Sequence, residues 1–240
     1  MLADYSFNES QIVIARSKEG SKEGFYFGVK GGNNDEFGNQ NDAGSFILYA
    51  NGKPFIVDPG SIEKTAKSIN KGRYTIWANQ SAWHNLPTIN GQMQKEGSNF
   101  RTTGMDRSSN GSQVTVSMNL LYAYDLTAGI DSWTRTYNFN RNSGLEISDR
   151  FNLNKVEGET FVSFITLSKP QIKKNGLVSF KVDGQEYEFE YKTSLNISVE
   201  EINTSESPEL KEWGSNLYRI VLKPNSPEKS GTWSYLFRKV

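Results

Sequence analysis

Residues 45–58 have the sequence SFILYANGKPFIVD, in which two segments rich in β-branched and aromatic residues flank the dipeptide Asn51-Gly52. Asn-Gly is the preferred pair for a two-residue hairpin turn, because both central residues of that turn need positive φ angles. The stretch therefore predicts an antiparallel β-hairpin with strands at 45–50 and 53–58.

Short segments of the same kind continue along nearly the whole chain, whereas helical spacing is scarce. Turn dipeptides such as Asn90-Gly91, Asn110-Gly111 and Asp183-Gly184 separate several of them. The further predicted strands are 11–16, 24–30, 112–120, 134–141, 144–153, 160–167, 177–183, 187–191, 195–202, 217–223 and 233–239. This pattern predicts an all-β fold, a large antiparallel β-sandwich of two stacked sheets.

A shift in composition near Lys169-Pro170 divides these segments into two groups. The length of 240 residues fits a single large β domain. We expect residues 1–168 to form the main sandwich. Residues 169–240 are expected to form either the remaining sandwich strands or a small C-terminal β subdomain.

Composition excludes several classes of function. The chain has no cysteine and one histidine, His84, which rules out disulfides, thiolate chemistry and a multi-histidine metal cage within the chain. Lys and Arg together number 27, as do Asp and Glu, so the neutral balance argues against nucleic-acid binding. Without a long apolar run, we expect no membrane span. The N-terminal residues show no signal peptide.

Two polar, irregular segments interrupt the strand pattern, at 33–42 and 60–85. The second contains Tyr74, Trp83 and His84, a composition that is poor for disorder. Long loops inside a compact β domain are commonly functional. We therefore expect these segments to be ordered and to line a site.

If the 45–58 hairpin forms, Asp42 and Asp58 lie at the same edge of the sheet. The segment that contains Gln40 and the returning loop that carries His84 can reach that edge. An amide oxygen, a carboxylate and an imidazole make Gln40, Asp58 and His84 a candidate metal site, with calcium or manganese suiting the oxygens better than zinc. The alternative is a hydrogen-bonded structural histidine beside an Asp-Pro-Gly turn.

Two stretches, GVKGGNNDEFGNQNDAGSFILYANGKPFIVDPG (28–60) and RYTIWANQSAWHNLPTINGQMQ (73–94), contain a recurrent order of motifs. A G-x-x-x-D segment precedes an Asp-x-Gly-Ser-Phe-like loop, an apolar strand, an Asn-Gly turn, Asp-x-Gly, Arg-Tyr and Ser-x-x-His-Asn. This order resembles the C-terminal β-sandwich domain of the heparinase II/III-like polysaccharide lyases. The resemblance covers residues 10–165. In the rest of the chain, only the spacing of the predicted strands is similar.

The resemblance implies a bacterial, periplasmic or extracellular lyase that cleaves acidic, uronate-containing polysaccharide, such as heparan sulfate or alginate, by β-elimination. It implies one divalent ion, zinc in relatives, at Gln40, Asp58 and His84. It also implies an N-terminal α-helical toroid that completes the cleft. The chain departs from the family at Gly38, where the family has a catalytic histidine, and at Lys64, where many relatives have tyrosine.

The remaining cleft-facing candidates are Asn39, Asn41, Arg73, Tyr74 and Trp83. Tyr74 is the candidate acid or base, and Arg73 is suited to bind a carboxylate or sulfate through two parallel hydrogen bonds. The two asparagines and the tryptophan are candidate substrate-binding residues. The structural alternative for the catalytic pair is a buried aromatic with a neighbouring ion pair.

Two functions follow. The first is the C-terminal domain of an acidic-polysaccharide lyase, inactive without its toroid. The second is a non-catalytic carbohydrate-binding or structural module, favoured for the isolated chain by Gly38 and by the neutral net charge.

Overall fold

The computed structural model describes residues 1–36, 38–60, 67–205, 210 and 213–240. Within these residues the chain forms strands and short 3₁₀ helices but no α-helix. The strands are β1 (Asp4–Phe7), β2 (Ile12–Arg16), β3 (Phe25–Lys30), β4 (Asn33–Asn34), β5 (Phe46–Ala50), β6 (Lys53–Ile56), β7 (Pro87–Thr88), β8 (Gly97–Arg101), β9 (Thr103–Asn110), β10 (Gln113–Asn119), β11 (Ile130–Asn140), β12 (Gly144–Leu153), β13 (Phe161–Thr166), β14 (Gln171–Lys174), β15 (Leu177–Val182), β16 (Gln185–Tyr191), β17 (Leu195–Asn203), β18 (Asn216–Pro224) and β19 (Ser230–Lys239). The 3₁₀ helices are Lys71–Thr75, Trp77–Asn79, Ser81–Trp83, Leu121–Ala123 and Leu126–Ala128.

Two large antiparallel sheets contain nearly all of these strands. The first sheet has the order β1-β2-β3-β5-β6-β13-β18-β17, with β7 also paired to β13. The second has the order β14-β15-β16-β19-β12-β11-β10-β9, and β4 pairs separately with β8. The prediction of an all-β sandwich is confirmed. The strands that follow residue 168 lie within both large sheets, β17 and β18 in the first and the others in the second.

The core lies between the two sheets and is largely aromatic. Phe27 and Phe46 of the first sheet contact Tyr137 of the second, with ring centroids 5.5 and 5.6 Å away. Phe164 and Phe237 extend the same cluster, with a centroid separation of 5.6 Å. All five side chains are buried, so large rings supply much of the buried apolar surface of this polar chain.

Sequence patterns did not predict β1, β4, β7, β8, β9 or β14. The clearest example is β9, with the sequence TGMDRSSN, whose residues are mostly exposed. Because β9 is an edge strand paired only with β10, no buried face imposes an apolar alternation on its sequence. Pairing with the neighbouring strand creates this element, and periodicity therefore cannot reveal it.

A buried ion pair lies within the second sheet. Arg135 on β11 donates from Nε and Nη2 to the two carboxylate oxygens of Asp149 on β12, at 2.8 and 2.7 Å. Trp133 Nε1 also donates to Asp149, at 2.8 Å. The remaining Arg135 nitrogen, Nη1, donates to the backbone carbonyl of Asn85 at 2.6 Å. The pair thus joins the second sheet to the loop that follows the last 3₁₀ helix before β7.

Asn85 in turn anchors that loop to the first sheet. Its Nδ2 donates to the carbonyl oxygens of Phe46 and Val57, at 2.7 and 3.0 Å. Its Oδ1 accepts from the backbone N–H of Ile165 at 2.7 Å. One buried amide therefore binds β5, the segment after β6, and β13, and it fixes the position of its neighbour His84.

Removal of the buried arginine is predicted to destabilise the fold strongly. Arg135→Ala leaves the Asp149 carboxylate buried without its partner, which costs about 3–5 kcal/mol of unfolding free energy. Arg150→Ala, on the exposed side of β12, should change it by less than about 0.5 kcal/mol. Urea denaturation of both variants measures the difference. Equal effects of the two substitutions would show that the buried pair has no special role.

Candidate functional site

Three polar segments meet beside the 45–58 hairpin. The backbone N–H of Asn41 donates to the carbonyl of Asn79 at 3.0 Å, and Gln40 Nε2 donates to the carbonyl of Gly60 at 2.5 Å. The third contact joins His84 to Asp58. The structure thus brings residues from 39–42, 58–60 and 73–85 into one cluster.

His84 and Asp58 form a direct pair. His84 Nδ1 lies 2.8 Å from Asp58 Oδ1, and Ser45 Oγ donates to Asp58 Oδ2 at 2.9 Å. Burial alone would lower the pKa of His84, but the Asp58 charge and hydrogen bond raise it above its usual value. Burial likewise opposes ionisation of Asp58, yet the His84 charge lowers the pKa of this carboxyl. A raised pKa of His84 and a lowered pKa of Asp58 both favour the charged form, so the two residues form an ion pair.

A second ion pair lies next to the first and includes a residue that sequence reasoning missed. Lys30 Nζ lies 2.7 Å from Asp42 Oδ1. Burial raises the pKa of Asp42, and the Lys30 charge offsets this only in part. Lys30 ends β3 immediately before Gly31-Gly32, and that position at a strand end was the only signal for it in the sequence.

Gln40 fits closely against the turn after Asp58. A Cβ atom at Gly60 would lie 2.1 Å from Gln40 Nε2, so only glycine permits this approach. Gln40 Oε1 and His84 Nε2 are both buried without a hydrogen-bond partner in the protein. An ion shared by Asp58 and His84 Nδ1 would have to replace the direct contact between them.

Arg73, Tyr74 and Asn39 form a compact hydrogen-bonded triangle. Arg73 Nη2 donates to Asn39 Oδ1 and to the Tyr74 hydroxyl, both at 2.7 Å. The Tyr74 hydroxyl donates to Asn39 Oδ1 at 2.9 Å. The guanidinium carbon of Arg73 also lies 4.7 Å from the centre of the Tyr74 ring. The two candidate catalytic residues and one candidate binding residue therefore lie together, while Asn39 itself is buried.

The other two candidate binding residues have different surroundings. Asn41 is buried, and its Nδ2 donates to the carbonyl of Gln94 at 3.2 Å. The Trp83 ring meets Trp77 edge-on, with centroids 4.9 Å apart, and the Arg219 guanidinium lies 4.6 Å from its centre. The Trp83 ring is therefore packed between the Trp77 ring and the Arg219 guanidinium.

Gly38 occupies an exposed position with φ of +71°. A Cβ there would meet no atom within 4 Å, so space is available for a side chain, whereas the backbone conformation favours glycine. Lys64 lies outside the described residues.

Buried polar atoms without a hydrogen-bond partner concentrate in these loops. Of the thirteen such atoms among the described residues, six lie in these loops: Asn34 Oδ1, Gln40 Oε1, Asn41 Oδ1, Arg73 Nε, Asn79 Oδ1 and His84 Nε2. An unsatisfied buried polar group costs about 1–3 kcal/mol, so each of these groups calls for a partner such as a water molecule, an ion or a ligand. The loops therefore present several polar groups that are available to a polar ligand.

A family model described as heparinase II/III-like, C-terminal, matches residues 7–212, which confirms the resemblance found in the sequence motifs. A search of curated proteins found no match. No helix among the described residues has the length and apolar character needed to cross a membrane.

Three similar solved structures align with nearly the whole of this chain. Heparan sulfate lyase HepC from Pedobacter heparinus has 16% identity and a TM-score of 0.71, with 99% of this chain and 36% of that chain covered. The heparinase III BT4657 gene product has 14% identity and a TM-score of 0.76, with the same coverage. A structure described as heparinase III has 16% identity and a TM-score of 0.73, again with 99% and 36% covered. The chain thus spans about a third of the length of these relatives.

The imidazole of His84 is predicted to titrate above its ordinary pKa of about 6.5. Because the pKa of His84 is raised in the folded state, the His84–Asp58 pair stabilises the fold below pH ~6.5. This stabilisation is lost as the pH rises through the folded-state pKa. His84 is the only histidine of the chain, so its ring NMR signals, recorded with EDTA present, are unambiguous. Asp58→Asn should lower the measured pKa. A pKa below 6.5 in the unmodified chain would refute the ion pair.

Proposed function

Since the chain belongs to the heparinase II/III-like C-terminal family, we propose that it is the C-terminal β-sandwich domain of a lyase acting on acidic, uronate-containing polysaccharide of heparan sulfate or alginate type. The proposed reaction is β-elimination. We further propose that an N-terminal α-helical toroid forms the opposite wall of the cleft, and that this chain alone is inactive. Such a substrate is found outside the cytoplasm, which favours a periplasmic or extracellular location.

The triangle of Arg73, Tyr74 and Asn39 carries this proposal. β-Elimination requires removal of the proton next to the uronate carboxylate, stabilisation of the resulting dianion, and protonation of the leaving oxygen. An arginine and a phenol whose oxygen lies 2.7 Å away provide a cation and a proton-transfer group side by side. The buried Arg73 Nε has no partner in the protein, so it is available to a carboxylate or sulfate.

Each residue of the triangle has a separate proposed role. The Arg73 guanidinium binds the substrate carboxylate and stabilises the charge that develops on it. The Tyr74 hydroxyl moves the proton, as acid or base. Asn39 holds both side chains through its single Oδ1 atom, and Asn41 and Trp83 are the further candidate binding residues.

We propose that one divalent ion binds at Gln40, Asp58 and His84. Two oxygen donors and one nitrogen fit calcium or manganese better than zinc, which prefers nitrogen and sulfur. The unpartnered Gln40 Oε1 supports this proposal, and the ion would take the place of the direct contact between His84 Nδ1 and Asp58. When bound, the ion would supply positive charge that tightens the loops beside the triangle.

A specific observation favours a second candidate function for the isolated chain, that of a non-catalytic carbohydrate-binding or structural module. Gly38, at the position of the family's catalytic histidine, has no side chain to transfer a proton, and its φ of +71° disfavours other residues. Such a module would bind polysaccharide without cleaving it.

Substitution of the triangle in the full-length protein tests the proposed function. Tyr74→Phe should reduce kcat by about 10²–10⁴ because the proton-transfer group is lost. Tyr122→Phe, at an exposed tyrosine, serves as the matched control and should leave the rate unchanged. The measurement is ultraviolet absorbance of unsaturated uronate products on heparan sulfate, alginate and polygalacturonate.

The same assay separates the two candidate functions. Full-length protein without activity on any of the three polysaccharides would refute the lyase, and binding without cleavage would support the module. Product formation by the 240-residue chain alone would refute the proposed need for a second wall.

Cation binding is a separate expectation. Calorimetric titration with calcium, manganese and zinc should reveal one site, and Gln40→Ala should weaken it, because one of the oxygen donors is removed. Gln92→Ala, at a partly buried glutamine in the turn before Gln94, is the control. Binding that is unchanged by Gln40→Ala would place the ion elsewhere.

A further inference from the structure

The edge strands β1 and β9 lie next to each other on one side of the sandwich. β1 ends the first sheet and β9 ends the second. Arg107 on β9 and Arg141, which follows β11, both form an ion pair with Asp4 on β1. Ser109 Oγ donates to the same carboxylate at 3.2 Å. These contacts hold the two edge strands together at the Asp4 end of β1.

A cavity of about 300 Å³ lies between the two strands towards the other end of β1. We name it the edge slot and define it by its polar lining residues, Ser6, Asn8, Gln11, Asp106 and Arg107. Its volume is at the lower end of the range of about 300–1,000 Å³ that ligand sites have. The edge slot therefore has room for one small ligand, such as a single sugar ring.

Several polar groups of the edge slot are available to a ligand. Ser6 Oγ and Arg107 Nε are buried atoms without a hydrogen-bond partner in the protein, so each calls for a partner. Asn8 and Asp106 are exposed, which leaves an amide and a carboxylate open to a molecule that enters. Phe7, which is 48% exposed, adds an aromatic ring to the lining.

The charges around the edge slot cancel. The guanidinium groups of Arg107 and Arg141 are balanced by the carboxylates of Asp4 and Asp106. Donors and acceptors thus occur together without a net charge, and a hydroxyl group, which both donates and accepts, suits such a lining. The C–H groups of a sugar ring can pack on the Phe7 ring. The lining therefore favours a sugar recognised by its hydroxyl groups.

Gln11 has an unusual backbone conformation for its residue type, with φ of +48°. The other non-glycine residues with positive φ in the described part of the chain are Asn51, Asn90 and Asp183, and each precedes a glycine. Gln11 instead precedes Ile12. Asparagine and aspartate tolerate this region, whereas glutamine rarely adopts it. Such strain persists where the surrounding structure imposes it, and it is common at ligand-binding positions.

Gly31 and Gly32 hold Gln11 in this conformation. The Gly31 N–H donates to the Gln11 carbonyl at 2.7 Å, and the Gly32 N–H donates to Gln11 Oε1 at 2.9 Å. A Cβ atom at Gly31 would lie 2.8 Å from Gln11 Oε1, so glycine permits this approach. With Oε1 engaged, the Nε2 group of Gln11 is left for a ligand. Gly31 directly follows Lys30 of the candidate site.

We propose that the edge slot binds one sugar ring of the polysaccharide through its hydroxyl groups. The proposal rests on the proposed function, which makes the ligand a polysaccharide. Gln11 Nε2 and Asn8 donate to ring hydroxyls, and the Asp106 carboxylate accepts from them. The edge slot is thus a second saccharide site, in addition to the triangle of Arg73, Tyr74 and Asn39.

The test uses the full-length protein carrying Arg73→Ala, in which the triangle has lost its cation. Saturation-transfer NMR titrations with oligosaccharides of heparan sulfate, alginate and polygalacturonate should show binding of at least one. Gln11→Gly and Asn8→Ala should each weaken it by about 2- to 10-fold, because one hydrogen bond is lost. Gln171→Ala, at an exposed glutamine on the opposite edge strand β14, is the matched control and should leave the affinity unchanged.

Thermal unfolding of the same variants separates binding from folding. Gln11→Gly relieves the strained φ, so its Tm should stay close to that of the parent while its affinity falls. A lower Tm with unchanged affinity would show that the Gln11 conformation serves the fold alone and would overturn the inference. A steep loss of affinity with rising salt would indicate that an anionic group is recognised and would overturn the assignment to hydroxyls.

The edge slot and the proposed function fail in different ways. Absence of binding in the Arg73→Ala protein, or equal affinities in all variants, would refute the edge slot even if the unmodified protein cleaves a polysaccharide. Binding that depends on Gln11 and Asn8, in a protein whose unmodified form cleaves none of the three polysaccharides, would refute the lyase and leave the edge slot intact.

Discussion

The buried contact of Arg135 with Asp149 and Asn85 is the constraint on which the site depends. Both charged side chains are fully removed from water, so each needs the other together with the additional hydrogen bonds from Trp133 and to the Asn85 carbonyl. The arginine therefore fixes the loop backbone from the second sheet, while the Asn85 side chain fixes it from the first. His84, the adjacent residue, reaches Asp58 because both sheets hold it there.

The loops of the site are held by polar contacts where a typical β domain would have apolar packing. Lys30, Asp42, Asp58 and His84 alternate in charge, and this arrangement makes the full burial of His84 and the partial burial of the other three side chains possible. Beside them, the Arg73 and Tyr74 side chains share the single acceptor Asn39. Several polar atoms of these loops are still without partners, so the loops are suited to bind a polar ligand.

The sequence predicted the sandwich because alternation and Asn-Gly turns are local signals. The hairpin at 45–58 is an example: Asn51 adopts positive φ, as its turn requires. The proximity of Asp58 and His84 was also expected, because the hairpin places Asp58 at the edge of the sheet that the returning loop with His84 can reach. Lys30 and Arg135 were missed because a charge that is paired only in the tertiary structure looks like an ordinary surface charge in the sequence. The contacts of Trp83 with Trp77 and Arg219 could not be foreseen for the same reason.

We propose that this chain forms one wall of a polysaccharide-binding cleft, with the Arg73 and Tyr74 pair at its chemical centre. The most direct test is a crystal structure of the full-length protein, carrying Tyr74→Phe, with a uronate-containing oligosaccharide. A uronate carboxylate is expected within about 2.7–3.2 Å of the Arg73 guanidinium. An oligosaccharide bound away from Arg73 would contradict the proposed role of this arginine.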